Sequence, residues 1–407
     1  MPEFSKYIAS GPPLLTDPSM HIVGSFTLSG TSTTIANTLR RCILVDTRSV
    51  GFRADLTNVA DPGVVVRKNT SVIFNEMLAH RITLIPANFP LDEFDPEQFQ
   101  CVLTVTNDKK EAISSSAIRH VTASDFRVMK KQEDGTFADV GLPIAKAVFP
   151  SDPITGQTSL IVSLRPQWNT EQPAEEIDLT AFPIVGRGRD HMGFSPVSQC
   201  SFGNTLDTNP VRQEQFFTEW LLAFKKISDP STVNPDSMAT YRREWSNMAI
   251  QRCFLVDEKG EPTSFDFTVE SVGIRPVRAI VAEGIQAAID LVTPYADREK
   301  SLTDLGITVK MPDSRMIGLD LHFADQEHTL GNLFQTILTD TTAAPDSPIV
   351  FVGYKVPHPL HKSMMIRMGF RDGFTGDKEV VARDLIATAA DAARAIFEGL
   401  AGSWSRL

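Results

Sequence analysis

The sequence predicts an α+β protein in which two related domains share one chain. Three observations carry this. Residues 34–43 read TIANTLRRCI and residues 329–338 read TLGNLFQTIL. Laid together without a gap, Thr34 meets Thr329 and Asn37 meets Asn332, while Ile35, Leu39, Cys42 and Ile43 fall on Leu330, Phe334, Ile337 and Leu338. Both copies therefore carry the i, i+4, i+7, i+8 spacing of one apolar helix face. The text downstream repeats as well: ILVDT (43–47) answers ILTDT (337–341), and VGF (50–52) answers FVGY (351–354). The separation is far too long for a solenoid, so two related domains are the simpler account. Lastly, short strands lead into helices on either side of one large β-rich insert, the layout of an α+β chain.

The elements follow in order. Residues 1–19, rich in Pro and Ser, read as a loose arm. HIVGSFTLSG (21–30) is a strand leading into the first helix, with Thr33 or Thr34 as N-cap. A strand near 49–56 and a helix near 71–82 follow, the latter with Ile73, Met77, His80 and Arg81 on or beside one face. Residues 91–205 form the β-rich insert, with alternating runs CVLTVTN (101–107) and SLIVSLRP (159–166) and turns at DG (134–135) and DPITG (152–156). Residues 203–263 turn polar around a short amphipathic helix near 211–227. FDFTVES (265–271) restores strand alternation and RAIVAEGIQAAIDLV (278–292) is a helix. A charged linker, 293–304, precedes strand 316–324, helix 328–340, strands 349–356 and 362–370, and a long helix 378–400. In that last helix Val381, Leu385, Thr388, Ala392, Ile396 and Leu400 recur at three- and four-residue steps, and Ala389 and Ala393 keep it slim for a partner helix, expected to be 278–292.

Composition narrows the function. A chain of 407 residues has length for two to three domains. Its net charge of −11 repels phosphate backbones, which argues against a broad nucleic-acid surface. Cys42, Cys101, Cys200 and Cys253 are scattered with no CxxC pair, arguing against a zinc ribbon or a disulfide framework and for a reducing compartment. The longest apolar run, 279–292, is interrupted by Glu283, Gly284 and Asp290, and the first fifteen residues lack a signal-peptide layout. An intracellular protein without a membrane segment is expected, with the Asn69-Thr70-Ser71 sequon unglycosylated.

Few motifs carry chemistry. GRGRDHMG (186–193) resembles a dinucleotide-binding loop only superficially. Its third glycine comes five residues after the second, where three are needed, and Pro196 prevents a helix from following. Asp325, Glu327, His328, His358 and His361 offer metal-ligand chemistry and define the alternative reading, a metal-dependent enzyme. Against it, Asp325 and Glu327 sit where acidic residues ordinarily cap a helix, and prolines surround His358. No GxxxxGK[ST], HExxH or GxSxG is present, and Asp92 and Asp95 lie among prolines in a surface loop. Arg40 and Arg41 stand together on the first helix, either as solvated surface or as an interface anchor.

NTLRRCILVD (37–46), NTSVIFNEMLAHRITLIP (69–86), GRGRDHMGFSPV (186–197) and FTVESVGIRPVRAIVAEGI (267–285) together resemble the alpha-like subunit of multisubunit RNA polymerases, the third-largest subunit of polymerase II or its archaeal counterpart. DQEHTLGNLFQTIL (325–338) with FVGYKVPHPL (351–360) resembles its smaller partner, the eleventh subunit of polymerase II or the archaeal equivalent. The resemblance covers about 20–86, 184–200 and 264–402. It implies two alpha-N-terminal-domain-like dimerisation domains fused in one chain, as in some large nucleocytoplasmic DNA viruses. The first would comprise 20–52 and 264–297, interrupted by an inserted domain at 53–263; the second, after the 293–304 linker, would be 305–407. The implied role is a non-catalytic assembly platform without cofactor, pairing its halves into a pseudo-heterodimer. It would recruit the second-largest subunit, then the largest and other small subunits, and meet nucleic acid only through the complex. Arg40 and Arg41 would face the second-largest subunit, while Leu39, Ile43, Leu330, Phe334, Leu338, Leu385 and Ile396 would hold the halves together. The site of action would be intracellular: a viral factory, virion or host nucleus for a viral protein. Many relatives carry cysteine clusters in the insert that bind zinc or an iron–sulfur cluster. Here the β-rich stretch 91–205 holds only Cys101 and Cys200, too few for either.

Overall fold

The computed structural model describes residues 2–407 apart from 59, 92–93, 109–116, 168–172, 313–316, 343 and 345. Asp92 and Met316 thus lie outside the described residues.

The first domain is a four-stranded antiparallel sheet of β1 (Glu3–Pro13), β2 (His21–Ser29), β12 (Val197–Asn204) and β13 (Ser264–Ser271), ordered β1-β2-β13-β12. Helices α1 (Thr33–Val45) and α6 (Val277–Ala296) pack against it. The N-terminal segment is therefore a strand and not a loose arm. Phe4 turns inward onto Phe26 and Trp404, and its N–H donates to Ser403 Oγ at 2.9 Å, so long-range contacts order a segment whose local composition favours none. The cap of α1 is Ser32, in extended backbone, whose oxygen accepts from Ile35 N at 3.4 Å; the expected Thr33 and Thr34 lie inside the first turn.

β3 (Arg48–Phe52) leaves the sheet and pairs with β11 (Pro183–Arg187), forming the neck of the insert. The insert holds a five-stranded sheet ordered β4-β10-β5-β7-β8, from β4 (Val64–Asn69), β5 (Phe99–Asn107), β7 (Arg127–Lys131), β8 (Phe137–Asp139) and β10 (Glu175–Ala181). The pair β6 (Arg119–Thr122) and β9 (Leu160–Leu164), with helices α2 (Asn75–Thr83) and α3 (Leu142–Val148), closes its own core around Phe52, Leu103, Phe126 and Leu179. The expected insert boundary of 53–263 needs correction, because β12 returns to the first sheet before a helical hairpin departs. That hairpin is α4 (Pro210–Trp220), continued by a π-turn over Leu221–Lys225, and α5 (Pro235–Met248). Sequence polarity hid α5; it forms because Trp245 closes a small core with Phe217 and Leu221.

The second domain repeats sheet and helices: β14 (Ile307–Lys310), β15 (Gly318–Ala324), β16 (Ile349–Lys355) and β17 (Ser363–Phe370), ordered β14-β15-β17-β16, with α7 (His328–Thr342) and α8 (Lys378–Arg406). The linker is shorter than expected. α6 continues through Pro294 to Ala296, and Leu302 is buried in the core. Arg383 of α8, itself buried, holds this connection by donating to the carbonyls of Tyr295 (3.2 Å), Asp297 and Lys300 (2.8 Å). Carbonyls left free at a helix C-terminus thereby gain a cationic donor.

One continuous core joins the two domains. Leu39 and Ile43 of α1, Ile285 of α6, Leu330, Phe334 and Leu338 of α7, and Phe397 of α8 are all buried within it. α8 packs along α6, as the alanine-rich text suggested. Its inward stripe, however, is Ala382, Ile386, Ala389, Ala393, Phe397 and Leu400. Leu385 and Ile396 sit half-buried at its margin and Thr388 is exposed, one helical step from where the spacing placed them. Among the described residues no helix is long and apolar enough to cross a membrane.

Candidate protein-docking surface

The two repeated helices meet each other. Thr34 Oγ1 lies 3.0 Å from Thr336 Oγ1, Asn332 Nδ2 donates to Thr34 Oγ1 at 3.4 Å, and Arg41 Nε donates to Thr329 Oγ1 at 2.6 Å. Lower on α1, a Cβ at Gly284 of α6 would run into Ile43, so only glycine lets the helices approach this closely. Leu39 and Ile43 are buried in the core that the two domains share. The face left over is the one available to a partner.

Arg40 and Arg41 do not act as a pair. Arg41 turns toward the second domain, bonded to Thr329 and 3.8 Å from Glu327. Arg40 turns away toward β12, its Nε donating to Asn37 Oδ1 at 3.0 Å. Successive helix positions differ by about 100° of rotation, which is why neighbours in sequence serve different surfaces. Arg40 is half-buried and keeps its remaining donors free of ion pairs among the described residues.

Next to α1 lies the GRGRDHMG segment. A Cβ on Gly188 would strike the Leu44 carbonyl oxygen, and one on Gly193 would strike that of Thr83. These glycines therefore let the loop pack between α1 and α2. Arg189 pairs with the buried Asp46, and His191 Nδ1 accepts from Gly193 N at 3.0 Å. The segment is a packing clamp with no cradle for phosphate. Burial pushes the Cys42 thiol well above its ordinary range, and Asp46 beside it adds to the effect, so this cysteine is no nucleophile.

The clamp presents α2 to solvent in an unexpected way. Its inner stripe is Leu78, Ala79 and Ile82; Met77, His80 and Arg81 face outward. Met77 on the helix is 56% exposed, Phe74 at its N-cap 75% and Leu84 at its C-cap 50%, with Val72 just before the helix at 60%. Single exposed hydrophobics are ordinary, but several large ones on so short a segment make it a candidate interaction site. The sequence carried the signal: the run has apolar residues on more than one helix face, and one face suffices for burial.

The acidic and histidine residues at 325–361 do not converge. Asp325 occupies a left-handed turn (φ 55°), and Glu327 faces Arg41. His328 Nδ1 lies 3.4 Å from the Tyr354 hydroxyl, and the His358 and His361 rings lie 4.8 Å apart. Among the described residues no group of three or more His, Cys, Asp and Glu side chains could hold a metal ion.

Two matches to family models fit this geometry. The RNA polymerase Rpb3/Rpb11 dimerisation domain matches residues 25–292, and a second model of the same description matches 319–402. The chain belongs to the Rpb3/Rpb11 dimerisation-domain family. It carries that domain twice, α1 and α6 in the first copy and α7 and α8 in the second. Similar proteins include RPAC1, a subunit of RNA polymerases I and III, from Saccharomyces cerevisiae, 31% identical over 241 residues. That alignment spans 52% of this chain and 62% of the yeast subunit, less than two thirds of its length. RPAC1 of Mus musculus is 28% identical over 67% of this chain and 80% of its own. RNA polymerase subunit Rpo3 of Methanosphaera stadtmanae is 28% identical over 68% of this chain and 95% of its own. The expected α+β fold and polymerase resemblance thus hold, and the metal-enzyme alternative finds no support among these relatives.

Proposed function

We propose that this chain is a non-catalytic assembly-platform subunit of a DNA-directed RNA polymerase, acting inside the cell. Its two dimerisation domains form a pseudo-heterodimer within one molecule and recruit the second-largest subunit, then the largest, with the other small subunits. The observation that carries this reading is the pairing of two Rpb3/Rpb11 dimerisation domains through reciprocal contacts of α1 and α7. A short connection makes such pairing intramolecular, at an effective concentration on the order of millimolar, so neither half exposes its apolar helices. Arg40 and the exposed apolar groups Phe74, Met77 and Leu84 supply the docking surface. The guanidinium grips carboxylate or carbonyl groups of the second-largest subunit, and the apolar groups supply buried area. Leu39, Ile43, Leu330, Phe334 and Leu338 hold the halves together, with Leu385 and Ile396 at the margin.

Affinity purification of the chain from its native source, with identification of co-purifying proteins, tests this. The largest and second-largest polymerase subunits are expected in stoichiometric amounts; recovery of another complex, or of the chain alone, overturns it. Elemental analysis of the undenatured protein tests the metal-enzyme alternative, which requires stoichiometric metal.

A further inference from the structure

The second sheet carries α7 and α8 on one side, where Leu319, Leu321, Ile366 and Met368 enter the core. Successive side chains of a strand face opposite sides, so the residues between them form an outer face. The register sets these in cross-strand rows. Lys310 of β14, Asp320 of β15, Arg367 of β17 and Gly353 of β16 make the middle row. Thr308, His322, Met365 and Lys355 make the row on one side of it, and Gly318, Gly369 and Phe351 the row on the other.

This face is cationic in a chain of net charge −11. Its strand positions hold Lys310, Lys355 and Arg367 against one carboxylate, Asp320, which Arg367 already engages through two 2.6 Å bonds. Lys310 and Lys355 are exposed and make no ion pair among the described residues. Lys362, exposed where β16 turns into β17, adds a further cation, and no Asp or Glu occurs between Asp346 and Asp372. Burial and then the charge of Lys310 hold His322 below its ordinary value, and Lys355 adds to this against the opposing pull of Asp320. One imidazole thus registers both lysines. Beside these cations lies an open ring. Phe351 is 42% exposed, and a Cβ on Gly353 would come within 2.9 Å of it, so the ring lies across the glycine toward the middle row.

We infer that this face binds single-stranded nucleic acid, with a base stacked on Phe351 and phosphates held by Lys310 and Lys355. Exposed rings beside a cationic track are how proteins hold single strands without reading their sequence. One row step is about 7 Å, a gap that a ribose bridges between a base and its phosphate. An acidic peptide would satisfy the lysines, but a flat ring laid on glycine beside them suits a planar base joined to its anion. The chain's overall charge repels phosphate elsewhere, which confines binding to this face. The inference goes beyond the assembly role and does not depend on it.

Fluorescence anisotropy of a short labelled oligouridylate with the full chain tests it. Binding should weaken with salt, and Lys310→Gln with Lys355→Gln should make the slope of log affinity against log salt shallower by about 1.4, two phosphates' worth. Phe351→Ala should weaken binding roughly tenfold and leave that slope unchanged, while Phe351→Tyr, which keeps the ring, should bind as the parent does. Lys131→Gln with Lys146→Gln, the same charge change at exposed positions of the insert, should alter nothing. All variants should melt with the parent protein, since each changed group is exposed. No binding, an unchanged slope in the Lys310 and Lys355 variant, full affinity in Phe351→Ala, or equal weakening by the insert variant would overturn the inference. So would displacement by polyglutamate as effective as by unlabelled oligouridylate, which would make the face a site for acidic protein instead.

Discussion

Arg41 and Thr329 are joined by a 2.6 Å hydrogen bond across 288 residues, and this contact has a mate. In the repeat, Thr34 corresponds to Thr329 and Arg41 to Thr336, and Thr34 Oγ1 meets Thr336 Oγ1 at 3.0 Å. Each contact is the other viewed from the opposite copy. This is the signature of an isologous interface, in which residue i meets j and j meets i, here written within one chain.

Reversing the two arginines separately should give opposite phenotypes. Arg41→Glu loses the bond to Thr329 and sets a carboxylate beside Glu327, so it should cost about 1–2 kcal/mol in thermal unfolding. Arg40→Glu should alter stability by less than about 0.5 kcal/mol yet reduce co-purification of the second-largest subunit. Equal melting curves for both variants would remove Arg41 from the inter-domain contact.

The exposed apolar groups at α2 give an independent test of docking. The double variant Phe74→Glu, Met77→Glu changes two groups that are 75% and 56% exposed, so its melting temperature should stay close to the parent's. Recovery of polymerase partners should fall sharply, because charges placed at the centre of an apolar interface are left unpaired. Unchanged recovery would make these groups ordinary surface.

Along α8 the ranking of neighbours is expected to be steep. Phe397 is fully buried in the shared core, so Phe397→Ala should cost about 3–5 kcal/mol. Ile396→Ala, at the half-buried margin, should cost about 1 kcal/mol. Urea denaturation of the two proteins decides the order, and reversal would mean that α8 is rotated.

Proteolytic cutting between 297 and 301 should leave the domains associated, since the core that joins them is untouched. Sedimentation should report a single-chain mass before and after. Arg383→Ala should loosen the cut protein further by about 2–3 kcal/mol, because it strands carbonyls on α6 and the connection. A stable homodimer of the intact chain would count against the internal pairing.

Acid should selectively weaken the second sheet. Asp320 of β15 accepts two 2.6 Å bonds from Arg367 of β17, which hold its carboxyl below the ordinary value. A carboxylate with a lowered folded-state pKa contributes stability that is complete above its unfolded value of about 3.9, and this contribution is lost as pH falls through the folded value. Asp320→Asn should therefore cost about 2–3 kcal/mol near pH 7, with the gap to the parent protein closing below about pH 4. A gap independent of pH would show that the pair is not ionic.

What the sequence determined by itself was periodic or repeated. The paired helix texts at 34–43 and 329–338, the alternation at 265–271 and the apolar faces of α6 and α7 are local patterns, so the α+β class, the duplication and the burial of Leu39, Ile43, Leu330, Phe334 and Leu338 could be read directly. Tertiary structure decided everything that depends on a partner distant in the chain. β1 exists because Phe4 finds Trp404, α5 because Trp245 finds Phe217, and the linker is short because Arg383 reaches back to Tyr295. Which way Arg40 and Arg41 point was equally beyond local text, since both lie half-buried at the seam and only the position of Thr329 separates them. The same holds for Ile396 and Phe397, adjacent apolar residues whose burial is set by the rotation of α8 against α6. A single helix's spacing limits that rotation only to within a residue or so, because 3.6 residues per turn lets neighbouring apolar positions compete for one face; the second helix makes the choice.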